Sequence, residues 1–170
     1  MTPKARYFWP LLFILFVSDC TTKDLVIDRF DSAQTADPIV DSFLRLNLVH
    51  NPGTAFGFDL QPYLGGASRA VLIGTMLAIV AVLLGVYRRT PARARAVAAA
   101  LGLTVGGALG NLLDRIRFER GVVDFIDVGI GTHRFWIFNV ADAGITIGAV
   151  LLAILLLREE QTPSASRPAA

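Results

Sequence analysis

The sequence predicts an all-α integral membrane protein with four transmembrane helices and a small extracytoplasmic β-sheet. Three observations predict it. The 170 residues are 54% hydrophobic and only 18% charged, whereas soluble domains run about 45–50% apolar and about 25% charged. A chain this short cannot hide that much apolar side chain in a water-soluble core. Residues 70–87 and 96–113 carry no charge, and residues 135–157 carry only Asp142. Each approaches or exceeds the ~20 apolar residues that a spanning helix needs. Basic residues cluster where short loops would join the spans on one side (Lys4 and Arg6, Arg88, Arg89, Arg93 and Arg95, then Arg158). Basic loops mark the cytoplasmic side, so both termini are expected there.

The elements follow in order as a single membrane domain over residues 1–158, with helices expected at roughly 8–27, 69–88, 96–114 and 137–157. The first is apolar only from Tyr7 to Ser18, and reaches spanning length by continuing through Asp19 and Lys23. Ionisable residues at membrane depth raise a functional question. Lys4, Arg6 and LLFILFVSDC also look like a secretory signal ending at Cys20, but Asp19 stands where cleavage requires a small neutral residue. A retained helix is therefore expected.

The outer loops are placed at residues 28–68 and 115–136. Leu44 to Leu48 alternates apolar and polar, the pattern of a half-buried strand. Asn51-Pro52-Gly53 is a turn signal, and Thr54 to Phe58 a possible returning strand. No motif is evident in the Asp-rich stretch 24–42. Val122 to Val128 is β-prone, and a turn at Gly129–Gly131 leads to Arg134–Ile137. Together these predict a small sheet on the outer membrane surface, with Phe56, Phe58, Phe135 and Trp136 as interfacial anchors. Arg115, Arg117, Arg120 and Arg134 in the second outer loop run against the charge rule. Residues 159–170 read as a disordered cytoplasmic tail.

A net charge of +2 does not suggest a nucleic-acid binder. One cysteine excludes an intrachain disulfide, and His50, His133 and Cys20 are a poor basis for a zinc site. No metal and no cofactor are expected.

The informative residues are polar ones in costly places. In the third helix Ala98, Gly102, Gly106 and Gly110 recur every four residues, a face that lets helices approach closely. Asp114 is next in that series, with Asn111 and Arg115 beside it. Asn139 and Asp142 are three apart in the fourth helix, with Gly144 and Gly148 behind them, and Asp19 and Lys23 are four apart in the first. The topology brings these groups to one depth near the outer leaflet, and the loop carrying Asp124 can fold back to them. Lys23 with Asp19 and Arg115 with Asp114 are possible neutralising pairs. Asp124 and Asp142 are left without a basic partner. Two adjacent carboxylates do not both ionise easily, so one keeps its proton. Such a pair can activate a water, polarise a carbonyl and protonate a leaving amine, which is metal-free aspartic-peptidase chemistry.

Other readings use the same acids differently. A small proton-coupled transporter would predict symmetry between helix pairs, and none is detected. Prepilin- or presenilin-type peptidases place an acid in GxGD, whereas Val122-Val123 precedes Asp124. A non-catalytic scaffold gives no reason for Asp142.

Five blocks carry a resemblance: DCTTK (residues 19–23), NPGTAF (51–56), GGALGNLLDR (106–115), VVDF (122–125) and FNVADAGITIG (138–148). In this order and spacing the chain resembles the lipoprotein signal peptidases (signal peptidase II). The resemblance implies four membrane helices and an extracytoplasmic sheet that cradles substrate. It implies an aspartyl endopeptidase of the bacterial inner membrane that acts as a monomer among membrane lipid. Its substrates would be prolipoproteins, cut on the N-terminal side of a cysteine carrying diacylglycerol. By the same resemblance Asp124 and Asp142 would be catalytic. Asn111, Arg115 and Asn139 would shape the site, and Asn51 and Gly53 would face substrate. Asp19, Lys23 and Asp114 would support it, while Cys20, at a variable position, has no role assigned.

Overall fold

The computed structural model describes residues 1–30, 37–40, 43–53 and 61–160. The expected strand Thr54–Phe58, with Phe56 and Phe58, lies outside the described residues, as does the tail from residue 161. Four long helices dominate the described chain: α1 (Ala5–Phe30), α3 (Ser68–Arg89), α4 (Arg95–Arg117) and α5 (Val140–Glu160). A short helix α2 (Gln61–Leu64) and a 3₁₀ turn at Gly65–Ala67 lead into α3. Residues 159–160, expected in the tail, complete the last turn of α5.

Three stretches are long and apolar enough to cross a membrane: Pro62–Arg89, Arg95–Arg117 and Val140–Arg158. Of the 18 most apolar consecutive residues in each, only 11% in the first and 17% in the third are buried within the protein. Leu77, Ile79, Val82, Ile147, Val150 and Leu156 are exposed. Apolar faces of this extent are not left to water; here they face lipid. Helix α1 is less apolar, because Asp19, Lys23 and Asp24 interrupt it. At 26 residues it is about 39 Å long at 1.5 Å per residue.

Helix α4 is the centre of the bundle, and its small residues explain why. A side chain at Gly102 would lie 2.6 Å from the Phe8 carbonyl oxygen, and one at Gly106 2.6 Å from that of Leu12. The glycine face therefore lets the α1 backbone lie directly on α4. Gly107, on another face, admits Ala141 of α5 in the same way. Phe8, Leu12, Val80, Tyr87, Leu101 and Val105 form the core around these crossings. At one end the Lys4 ammonium donates to the carbonyls of Tyr87 (2.8 Å) and Thr90 (2.6 Å), tying the start of α1 to the end of α3.

At the other end lies an antiparallel sheet in the order β1 (Asp37–Val40), β2 (Leu44–Asn51), β3 (Val122–Ile130), β4 (His133–Arg134). Phe125, with Leu46, Leu48 and Ile126, packs on Val26 and Phe30, so the last turns of α1 support the sheet. Strand β1 is a finding: it falls in the stretch where no motif was evident, and a proline at Pro38 suits an edge strand. Beyond Arg134, the expected strand to Ile137 is reduced to one bridge, Ile126 to Phe138.

Candidate active site

Lys23 is 1% exposed and Asp19 is fully buried, both on α1. The ammonium lies 2.7 Å from Asp19 Oδ2 and 2.8 Å from Asp114 Oδ2. This corrects one expected pair. Asp114 is neutralised across the helix crossing by Lys23, not by its neighbour Arg115. The glycine face of α4 decides it, because side chains continuing that face meet α1. Both carboxylates also accept backbone amides, Asp19 from Ala141 at 2.8 Å and Asp114 from Val123 at 3.1 Å. The ion triad thus grips the start of α5 and of β3.

Lys23 also donates to Asn111 Oδ1 at 3.0 Å. An ammonium has donors only, so this contact fixes which end of the Asn111 amide faces which way. The Asn111 NH2 group is directed at Asp142 Oδ1, 2.7 Å away.

Asn139 precedes α5 rather than belonging to it, which corrects the expected helix start at residue 137. Its side-chain oxygen accepts the Asp142 amide at 2.8 Å, and Asp142 Oδ2 accepts the Asn139 amide at 3.3 Å. This is a reciprocal capping box. The Asn139 NH2 group reaches Asp124 Oδ1 at 2.7 Å and Asn111 Oδ1 at 3.1 Å.

Asp124 is 3% exposed on β3. Asn51, at the end of the paired strand β2, donates to Asp124 Oδ2 at 3.1 Å. Burial, then the nearby charge of Asp142, push the Asp124 carboxyl up to about 6; the Asn51 and Asn139 donors oppose that rise. Among the described residues no Lys or Arg lies within ion-pairing distance of Asp124 or Asp142.

Arg115 reaches the turn instead of Asp114. Its guanidinium donates to the carbonyls of Pro52 (3.4 Å) and Gly53. The Gly53 amide in turn donates to Asn51 Oδ1 at 3.0 Å, closing an Asx turn. Gly121 makes room for this turn: its φ is +98°, and a side chain there would strike the Asn51 carbonyl.

All ten residues singled out in the sequence therefore join one connected set. Two charged features escaped that reading. Asp127, buried, takes Arg45 at 3.2 Å and Arg134 at 2.8 Å and clasps β2, β3 and β4 together. Strand alternation was the available signal, since residue 127 falls on the face opposite Asp124. Arg69 is the second: it donates to the carbonyls of Arg115 (2.8 Å) and Ile116 (3.0 Å). Cys20 enters none of these contacts, and its thiol is free. Among the described residues no group of three or more His, Cys, Asp or Glu side chains could hold a metal ion.

Comparison with known proteins bears on what this set of residues is. The model of the signal peptidase (SPase) II family matches residues 11–158. The chain belongs to the signal peptidase II family. It is 35% identical to a lipoprotein signal peptidase of Geobacter sulfurreducens, over 95% of this chain and 98% of the relative. It is 36% identical to one from Geobacillus kaustophilus, over 87% and 90%. Two solved bacterial membrane enzymes share the fold. One has a TM-score of 0.77 at 26% identity, covering 94% of this chain and 92% of that one. The other has a TM-score of 0.74 at 30% identity, covering 87% and 90%. All five sequence blocks of the family resemblance lie inside the matched residues, so the matched segment carries every residue of the network.

Proposed function

We propose that this protein removes the signal peptide of diacylglyceryl-modified prolipoproteins, cutting on the N-terminal side of the lipidated cysteine. Asp124 and Asp142 are the catalytic dyad. The observation that carries this is their pairing: two carboxylates with no Lys or Arg in ion-pair contact among the described residues, bridged by Asn139, with one proton retained to about pH 6 by burial and mutual charge.

In the reaction, Asp142 takes a proton from water as the oxygen attacks the scissile carbonyl carbon. The Asp124 proton passes to the carbonyl oxygen, giving a tetrahedral diol. On collapse the C–N bond breaks, the leaving amine takes a proton from the dyad, and a carboxylic acid remains. The three asparagines hold both carboxyls in position before substrate arrives, which is where such a site gains its rate. Asn51 and Gly53 face the substrate, and the Arg115 guanidinium holds their turn.

Helix α1 is the fourth span. Asp19 and Lys23 are sheathed by α4 and α5 rather than exposed to lipid, and the exposed Asp24 pairs with Arg117, so these charges do not prevent insertion. Lys4, Arg6, the Arg88–Arg95 turn and Arg158 put that end and both termini in the cytoplasm. The sheet and the dyad lie at the outer leaflet of the inner membrane, and the protein works as a monomer in lipid.

The test is cleavage by the detergent-solubilised full chain of a diacylglyceryl-modified precursor and of the same precursor without lipid. Cleavage of the lipidated form alone is expected. A proton-coupled transporter using the same acids would cleave neither, and equal cleavage of both would remove the lipid requirement.

A further inference from the structure

Arg69 breaks a local rule. It stands in the first turn of α3, a helix with no acidic residue in that turn and no side-chain cap. A cation there opposes the helix dipole, whose positive end is at the N-terminus. Its guanidinium points at a different helix, and the end of α4 shows why that is favourable. The last carbonyls of a helix lack intrahelical donors. Asp114 O is satisfied by the Phe118 amide at 2.7 Å. The next two, Arg115 O and Ile116 O, are satisfied by Arg69 Nε at 2.8 Å and Nη2 at 3.0 Å. A fork of two N–H groups on two successive carbonyls is a geometry that Lys cannot reproduce.

The residue capped at its carbonyl is Arg115, whose side chain holds the Pro52 and Gly53 carbonyls. The turn it holds presents Asn51 to Asp124. We propose that Arg69 is a positioning residue for the dyad: by capping α4 it fixes the Arg115 backbone, and so the Asn51–Gly53 turn, against Asp124. The kinetic part rests on the peptidase reading above; the structural part does not.

Two measurements on the full chain in detergent test it. The first needs no substrate: hydrogen exchange of the peptide containing Gly53, whose amide is closed onto Asn51 Oδ1. Arg69→Met is expected to speed that exchange, Arg69→Lys to give an intermediate rate, and Arg117→Met, which removes an exposed pair with Asp24 on the same helix end, to change nothing. The second is cleavage of a lipidated precursor. Arg69→Met is expected to lower kcat about 10-fold with KM within about 2-fold, from misalignment alone, and Arg69→Lys to restore part of it. Gly53 exchange at the wild-type rate in Arg69→Met overturns the proposal. So does an equal loss in Arg117→Met, or a kcat loss that merely tracks the folded fraction. If Arg69→Met does not fold, Arg69→Lys carries the test, and wild-type exchange and kcat there overturn it. Failure of the wild type to cleave would refute the peptidase reading and leave the exchange result to judge Arg69.

Discussion

Asn139 and Asp142 cap each other. The Asn139 side-chain oxygen accepts the Asp142 amide at 2.8 Å, and the Asp142 carboxylate accepts the Asn139 amide at 3.3 Å. The same turn that starts α5 therefore fixes one acid of the proposed dyad, while the free end of the Asn139 amide fixes the other. Helix initiation and assembly of the proposed active site are one event here, because an N-cap must satisfy the first amides of its helix whatever else it does.

Each dyad acid is expected to be indispensable. Asp124→Asn and Asp142→Asn should each lower kcat on a lipidated precursor by roughly 10³-fold or more, as loss of a group acting in a catalytic unit does. Retained cleavage by either variant, in correctly inserted protein, removes that residue from the dyad.

The pH profile follows from Asp124. Its carboxyl is raised to about 6, chiefly by burial and then by Asp142, so the singly protonated dyad is lost as pH rises through that value. In the free enzyme kcat/KM is expected to fall above about pH 6. Asn51→Ala removes a donor that holds the carboxyl down, so the descending limb should move to higher pH. A limb that stays put or moves lower contradicts the assigned contact.

Stability should carry the same signature. A carboxyl raised in the folded state adds stability at low pH, and the contribution disappears as pH rises through about 6. Against Asp124→Asn, which does not titrate, the wild type is expected to lose about 2 kcal/mol between pH 4 and pH 8. Melting of both proteins across that range reads the difference, and parallel curves would refute it.

Lys23 is the cation of a buried triad, and its removal leaves Asp19 and Asp114 facing each other. Lys23→Met is expected to cost about 3–5 kcal/mol. Asp114→Asn in the same chain should recover part of it by removing one of the stranded charges. A melting temperature unchanged in Lys23→Met would show that the triad is not what joins α1 to α4.

The glycine face of α4 makes a graded prediction. Gly106→Ala places a methyl 2.6 Å from the Leu12 carbonyl oxygen, whereas Gly85→Ala meets nothing within 4 Å. Forced separation of the helices is expected to cost about 1–3 kcal/mol at Gly106, and Gly85→Ala should melt like the wild type. Equal melting of the two variants would refute the crossing.

Much of this molecule was legible in the sequence because it depends on one element at a time. Stretches with no charge mark α3 and α4, and one interrupted only by Asp142 marks α5, since lipid demands length and apolarity from each helix separately. The four-residue spacing of Gly102, Gly106 and Gly110 marks a contact face, because side chains four apart share a side. The sequence also singled out Asp124 and Asp142 as acids without a nearby base. What needed the tertiary structure was every choice of partner between elements. Asp114 and Arg115 are neighbours in the chain, yet they part: α4 points Asp114 towards Lys23 of α1, and Arg115 towards the turn at Gly53. Asn139 became a cap because α5 starts at Val140 rather than at residue 137. Strand β1, Asp127 and Arg69 were not legible, because pairing an edge, burying a charge or capping another helix depends on what stands opposite. Spacing along a chain sets which side chains share a face; the crossing of helices and the register of strands decide what that face meets.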